Sequence, residues 1–111
     1  MKDLATLKRR YQRDAPAIQL GGLASNLSRI AWCVTQGHQA GLPALFRERK
    51  YFSEWAAPSC SIDQQGLLAE VRLHLAIWER RGGEKLSPAT LADQAQQWSA
   101  RLLQASGLMN P

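Results

Sequence analysis

The sequence is poor in almost everything that would advertise a function. It has two cysteines, Cys33 and Cys60, in unrelated contexts and without C-x-x-C spacing. That argues against a disulfide scaffold and for reduced thiols in a cytoplasmic setting. The opening Met1–Arg10 segment lacks the continuous apolar stretch of a signal peptide, and no apolar run reaches the 18 or more residues of a membrane span. Eight glycines and five prolines are too few for a collagen-like or low-complexity chain. β-branched residues are sparse and no segment alternates with period two, which excludes a sheet. No phosphate loop, dinucleotide fingerprint or nucleophile elbow occurs, and His38 and His74 belong to no H-x-x-x-H or H-E-x-x-H spacing. The expectation is therefore a non-enzymatic protein without catalytic residues, metal or cofactor.

What remains is a chain of 111 residues, 45% hydrophobic and 21% charged. That is a normal globular balance, sized for a single helical domain over 1–111. The apolar residues fall at helical spacing. Leu4, Leu7 and Tyr11 suggest a short helix from about Lys2 to Arg13, and Asp14-Ala15-Pro16 breaks it. Leu20, Leu23, Ala24, Leu27, Ile30, Ala31 and Val34 form the stripe of a second helix, with Gly37 as its stop. The pair Gly21-Gly22 weakens its first turns or allows a close backbone approach. A third helix starts at Pro43 and ends at Pro58, carrying Leu42, Leu45, Phe46, Phe52, Trp55 and Ala56 on one face. Arg49 falls within that stripe, so either its stem covers apolar surface or it pairs with a carboxylate.

Ser61-Ile62-Asp63-Gln64 is a capping box for a fourth helix running to about Arg81, where Gly82-Gly83 should stop it. Ser87-Pro88 opens a fifth, with the stripe Leu91, Ala95, Trp98, Leu102 and Ala105, and Gly107 is its stop with Leu108 placed for the cap contact. The fold class is thus all-α: a compact helical bundle of about four principal helices plus a short N-terminal helix.

Three groups of residues are candidates for function. The fourth helix carries two apolar arcs. Leu67, Leu68, Val71, Leu75 and Trp78 fill one; Ala69, Leu73, Ala76 and Ile77 fill another, roughly opposite. Either this is the central helix of the bundle, or its second arc faces a partner protein or a second copy in a homo-oligomer. The net charge of +5 is concentrated at the start of the chain, where Lys2, Lys8, Arg9, Arg10 and Arg13 face only Asp3. Lys8, Arg9, Arg10 and Arg13 are either a solvated helix face or a contact for the phosphates of a nucleic acid. The fifth helix opens somewhat like a recognition helix, but Asp93 and Arg101 are its only charges; Gln94, Gln96 and Gln97 are the residues that could read bases. The third group is aromatic: Trp32, Trp55, Trp78 and Trp98, one per principal helix, converge either as core anchors or as a pocket beside His74 for a planar ligand, in a small-molecule binder or an enzyme. Glu70 and His74, spaced i, i+4, are placed to hydrogen-bond.

Four segments carry a resemblance. They are Leu4-Ala5-Thr6-Leu7-Lys8-Arg9-Arg10-Tyr11, Leu23-Ala24-Ser25-Asn26-Leu27-Ser28-Arg29-Ile30, Phe52-Ser53-Glu54-Trp55, and Trp98-Ser99-Ala100-Arg101-Leu102-Leu103. Over nearly the whole chain it resembles a family of small, conserved hypothetical proteins of cyanobacterial type. The resemblance implies a bacterial cytoplasm and leaves activity open.

Overall fold

Local sequence signals set most of the helix ends. The structure, a computed structural model, describes residues 3–38, 40–85 and 87–108, and of 81–85 the backbone course alone. Five helices follow in order: α1 (Leu4–Gln12), α2 (Pro16–Thr35), α3 (Leu42–Ala56), α4 (Ile62–Lys85) and α5 (Pro88–Ser106), with a 3-10 turn Ala57–Ser59 between α3 and α4. No strand occurs among the described residues. The fold is an all-α bundle.

Each start has a local cause. Asp3 caps α1 by accepting from the Ala5 amide at 3.0 Å and the Thr6 hydroxyl at 2.7 Å. The capping box of α4 forms in both directions: the Gln64 amide donates to Ser61 Oγ at 3.1 Å, and the Ser61 amide donates to Gln64 Oε1 at 2.9 Å. Ser87 accepts from the Thr90 amide ahead of Pro88. Gly37 and Gly107, both at φ +78°, take the left-handed conformation just past α2 and α5. Lys2, expected in α1, lies outside the described residues.

One expected boundary is corrected. Gly82-Gly83 does not end α4, which runs on to Lys85. A glycine in a helix costs about 1 kcal/mol relative to alanine but leaves right-handed φ/ψ open to it.

Helix α2 is the central element, with eight buried residues including Leu20, Leu23, Leu27 and Ile30. Its most extensive partner is α5, although the two are far apart in sequence; α3 and α4 form the second large pair, and α1 lies on α3. Small residues line the α2–α5 contact. Ala24 and Ala31 are buried on one side, Ala95 and Ser99 on the other, and Ser99 Oγ donates to the Ala24 carbonyl at 2.7 Å. The molecule measures 35 × 34 × 21 Å. Its thin dimension is about two helix diameters, so the bundle is a slab two helices thick. In such a slab one face of a helix is easily left uncovered, and this happens to α4.

Candidate functional site

The first arc of α4 is core: Leu68, Val71, Leu75 and Trp78 are buried against α3 and its neighbours. The second arc is not. Leu73 is 59% exposed, Ala69 is exposed, and Ala76 and Ile77 are half-buried. Helix α4 is therefore not the central helix, and its second arc is only partly covered within the described chain. Ile62, 86% exposed, continues the strip toward the start of the helix.

Salt bridges bound this strip on either side. Arg101 reaches Glu70 Oε2 at 3.5 Å, with both side chains more than half exposed. On the α3 side, Glu79 accepts from Arg47 Nε at 3.1 Å and is also held by Lys50. The hydrogen bond from Lys50, helped by that from Arg47, keeps the Glu79 carboxyl below its ordinary pKa.

His74 does not pair with the Glu70 side chain. It bonds the Glu70 backbone carbonyl through Nδ1 at 2.9 Å, so Nδ1 carries the proton, while the carboxylate turns to Arg101. The imidazole packs against Trp98, with centroids 4.7 Å apart, and edge-on to Trp78 at 6.1 Å. Arg101 covers the Trp98 ring at 4.3 Å, and Trp78 Nε1 donates to Gln94 Oε1 at 3.1 Å. This is a filled aromatic seam between α4 and α5.

The expected convergence of four tryptophans is corrected in the same terms. Trp78 and Trp98 meet through His74. Trp55 belongs to a different cluster with Tyr11, Tyr51 and Phe52, and Trp32 is 56% exposed and stacked on His38 at 5.7 Å. Trp32 borders its helix's stripe in sequence, and the neighbouring helices do not reach it. Three of the four glutamines of α5, those weighed as base readers, are also engaged: Gln94 by Trp78, Gln96 by the Ser28 hydroxyl at 3.0 Å, and Gln97 by Asp93 at 2.8 Å. Each is held by a side-chain hydrogen bond, so they are not a free row of base-reading groups.

Helix α1 docks through Leu7 and Tyr11, whose hydroxyl donates to the Gln19 carbonyl at 2.8 Å. Burial pushes the Tyr11 phenol above its ordinary pKa. The cations of α1 stay outside this contact. Lys8, Arg9, Arg10 and Arg13 are all exposed, and among the described residues none of them meets a carboxylate; Arg9 reaches only Thr6 Oγ1. In α3 to α5, by contrast, Arg47, Arg49, Lys50, Arg72 and Arg101 are ion-paired, Arg80 being the exception among the described side chains.

Two features remain, Arg49, for which carboxylate pairing is one of two expected roles, and a groove that sequence reasoning missed. Arg49 is 8% exposed, bonded to Glu48 Oε1 at 3.0 Å and lying over the Phe52 ring at 5.1 Å. Burial lowers its pKa and the Glu48 carboxylate opposes that shift. Its Nε and the Gln19 Oε1 are buried without a hydrogen-bond partner among the described residues. The other feature is a groove of about 500 Å³ between α1 and α3, lined by Leu4, Lys8, Gln12, Tyr51, Glu54 and Trp55 among others. The i, i+4 pairs Leu4/Lys8 and Tyr51/Trp55 carry it, but only the docking of α1 on α3 brings the two pairs together.

Among the described residues no three His, Cys, Asp or Glu side chains are grouped to hold a metal, and no helix is long and apolar enough to cross a membrane. Comparison with protein-family models, curated proteins and solved structures gives no match, so the resemblance noted above stands on its quoted segments alone.

Proposed function

We propose that this protein is a non-enzymatic self-association module of the cytoplasm that pairs through the outer face of α4 with a second copy of itself. The observation carrying the reading is Leu73, 59% exposed at the middle of a long helix, between exposed Ala69 and half-buried Ala76 and Ile77. Ile62, Ala69, Leu73 and Ala76 share this face at 7-4-3 spacing, with Gly66 between the first two, the pattern of a helix that pairs along its length.

Charge favours a second copy as occupant. An antiparallel pair with its two-fold axis at residue 75 sets Leu73 across from the partner copy's residue 77 and Glu70 across from its residue 80. Glu70 and Arg80 are opposite in charge and both exposed, and Arg80 has no ion pair among the described residues. The strip is also limited in size. Helix α4 has 24 residues and so spans about 36 Å. A strip that long and roughly 10 Å wide projects to about 360 Å² per copy, below the ~800 Å² of a standard interface. The dimer is accordingly weak and concentration-dependent.

Sedimentation over a concentration series tests this. The expected result is a monomer–dimer equilibrium abolished by Leu73→Glu or Ile77→Glu. It should also be weakened by Glu70→Arg and restored when Glu70→Arg is combined with Arg80→Glu. A monomer persisting to about 1 mM would remove the proposal. A dimer indifferent to Leu73→Glu would move the interface elsewhere.

A further inference from the structure

The α1 cations and the groove beside them fit a ligand different from a second copy of this chain, and neither observation depends on α4. Helix α1 forms a ridge with a depression on either flank. One is the groove with Lys8, Tyr51 and Trp55, and the other, of about 490 Å³, is lined by Arg10 and Arg13 together with Leu7, Tyr11, Asp14 and Phe52. Cations thus stand on both flanks of the ridge, with Arg9 also exposed on the helix, and none is neutralised by a carboxylate among the described residues.

The Lys8 groove adds an aromatic wall. Tyr51 and Trp55 stack with centroids 5.7 Å apart and planes 17° apart; Trp55 is buried in the core, and Tyr51, half-buried, is the ring the groove leaves accessible. The volume lies within the range of about 300–1,000 Å³ typical of sites for small organic groups. Glu54 at the rim leans to Arg72 at 3.8 Å and disfavours a phosphate on its own side, which leaves the Lys8 side for the anion.

A row of unpaired cations beside a half-exposed aromatic face matches a polymer with regularly spaced phosphates and planar bases free to leave their stack. We infer that α1 and the α1–α3 groove bind single-stranded nucleic acid. The strand crosses the α1 ridge, Lys8, Arg9, Arg10 and Arg13 contact its phosphates, and one base enters the groove against Tyr51, which Trp55 backs from the core. A duplex satisfies the cations and leaves the groove empty, because its bases are stacked and paired. An acidic protein likewise offers nothing regular for the aromatic wall.

The full chain is titrated with a 12-nucleotide oligothymidylate and with a duplex of equal length, following tryptophan emission and anisotropy over a salt series. Four phosphate contacts give a slope of about −2.8 in log affinity against log salt for the single strand. Tyr51→Leu, which keeps an apolar side chain at the packed edge, should weaken the single strand about tenfold and leave the duplex unchanged. Lys8→Glu, at an exposed position, should lower both affinity and slope, and it keeps the test valid if Tyr51→Leu fails the circular dichroism check of folding. Absence of oligothymidylate binding at low salt overturns the inference. So does duplex binding as tight as single-strand binding. Oligothymidylate affinity indifferent to both variants overturns it as well.

Discussion

Two adjacent glycines in α2 allow a controlled measurement of packing. Gly21 and Gly22 both lie inside the helix, and each should gain about 1 kcal/mol from helix propensity on replacement by alanine. Their surroundings differ. A Cβ on Gly22 meets nothing within 4 Å, whereas one on Gly21 would stand 2.5 Å from Leu108 Cδ1, just past the end of α5. Leu108 is 47% exposed, so about half of a leucine's burial, roughly 1 kcal/mol, is lost if its side chain swings away. Gly22→Ala should therefore stabilise by about 1 kcal/mol, raising Tm by about 4 °C for a domain of this size. Gly21→Ala should come out near zero. In a Leu108→Ala background the conflict disappears, and Gly21→Ala should stabilise as much as Gly22→Ala does in the parent. Urea denaturation of the five proteins, analysed as a double-mutant cycle, measures the coupling at about 1 kcal/mol. Equal stabilisation by both alanines in the parent would show that Leu108 does not rest on α2 in solution. Destabilisation by Gly22→Ala would show that its open surface is occupied.

Further expectations follow from the core and its titrating groups. Trp78 is 1% exposed, and Trp78→Ala should destabilise by about 3–5 kcal/mol in urea melts. Trp78→Phe should cost less, the deficit including the bond to Gln94. Because Glu79 ionises more readily folded than unfolded, its contribution is present above its unfolded pKa and lost as pH falls through the folded one. Thermal melts across the acid range should show that loss reduced in Glu79→Gln, and an unchanged acid profile would deny Lys50 and Arg47 the role given them. Burial raises the Cys60 thiol pKa and closes access to it, while Cys33 is half-exposed, so a thiol reagent should titrate Cys33 first and reach Cys60 only as the chain unfolds. Equal rates would contradict that order.

The sequence by itself determined what can be decided within about four residues. The Ser61/Gln64 box, the Ser87-Pro88 start and the left-handed Gly37 and Gly107 stops are closed by bonds or dihedrals local to the chain, so residue type is enough to place them. The period of the apolar stripes likewise identified Leu20, Leu23, Leu27 and Ile30 as core before any partner was known. The same rules failed at Gly82-Gly83, because a propensity of about 1 kcal/mol is a bias that the rest of a long helix outweighs. Which stripe meets which was decided only in the tertiary structure. The two arcs of α4 are written alike in apolar residues, yet Val71 and Leu75 are covered by α3 and Leu73 is left outside. Trp55 lies within its helix's stripe and Trp32 only borders its own, and of the two Trp55 alone is buried. The α1–α3 groove, with Lys8 beside Tyr51 and Trp55, exists because α1 folds back onto a helix about forty residues away. Burial is a property of pairs of surfaces, and hydrophobic attraction carries no address in the sequence beyond the shapes that happen to fit.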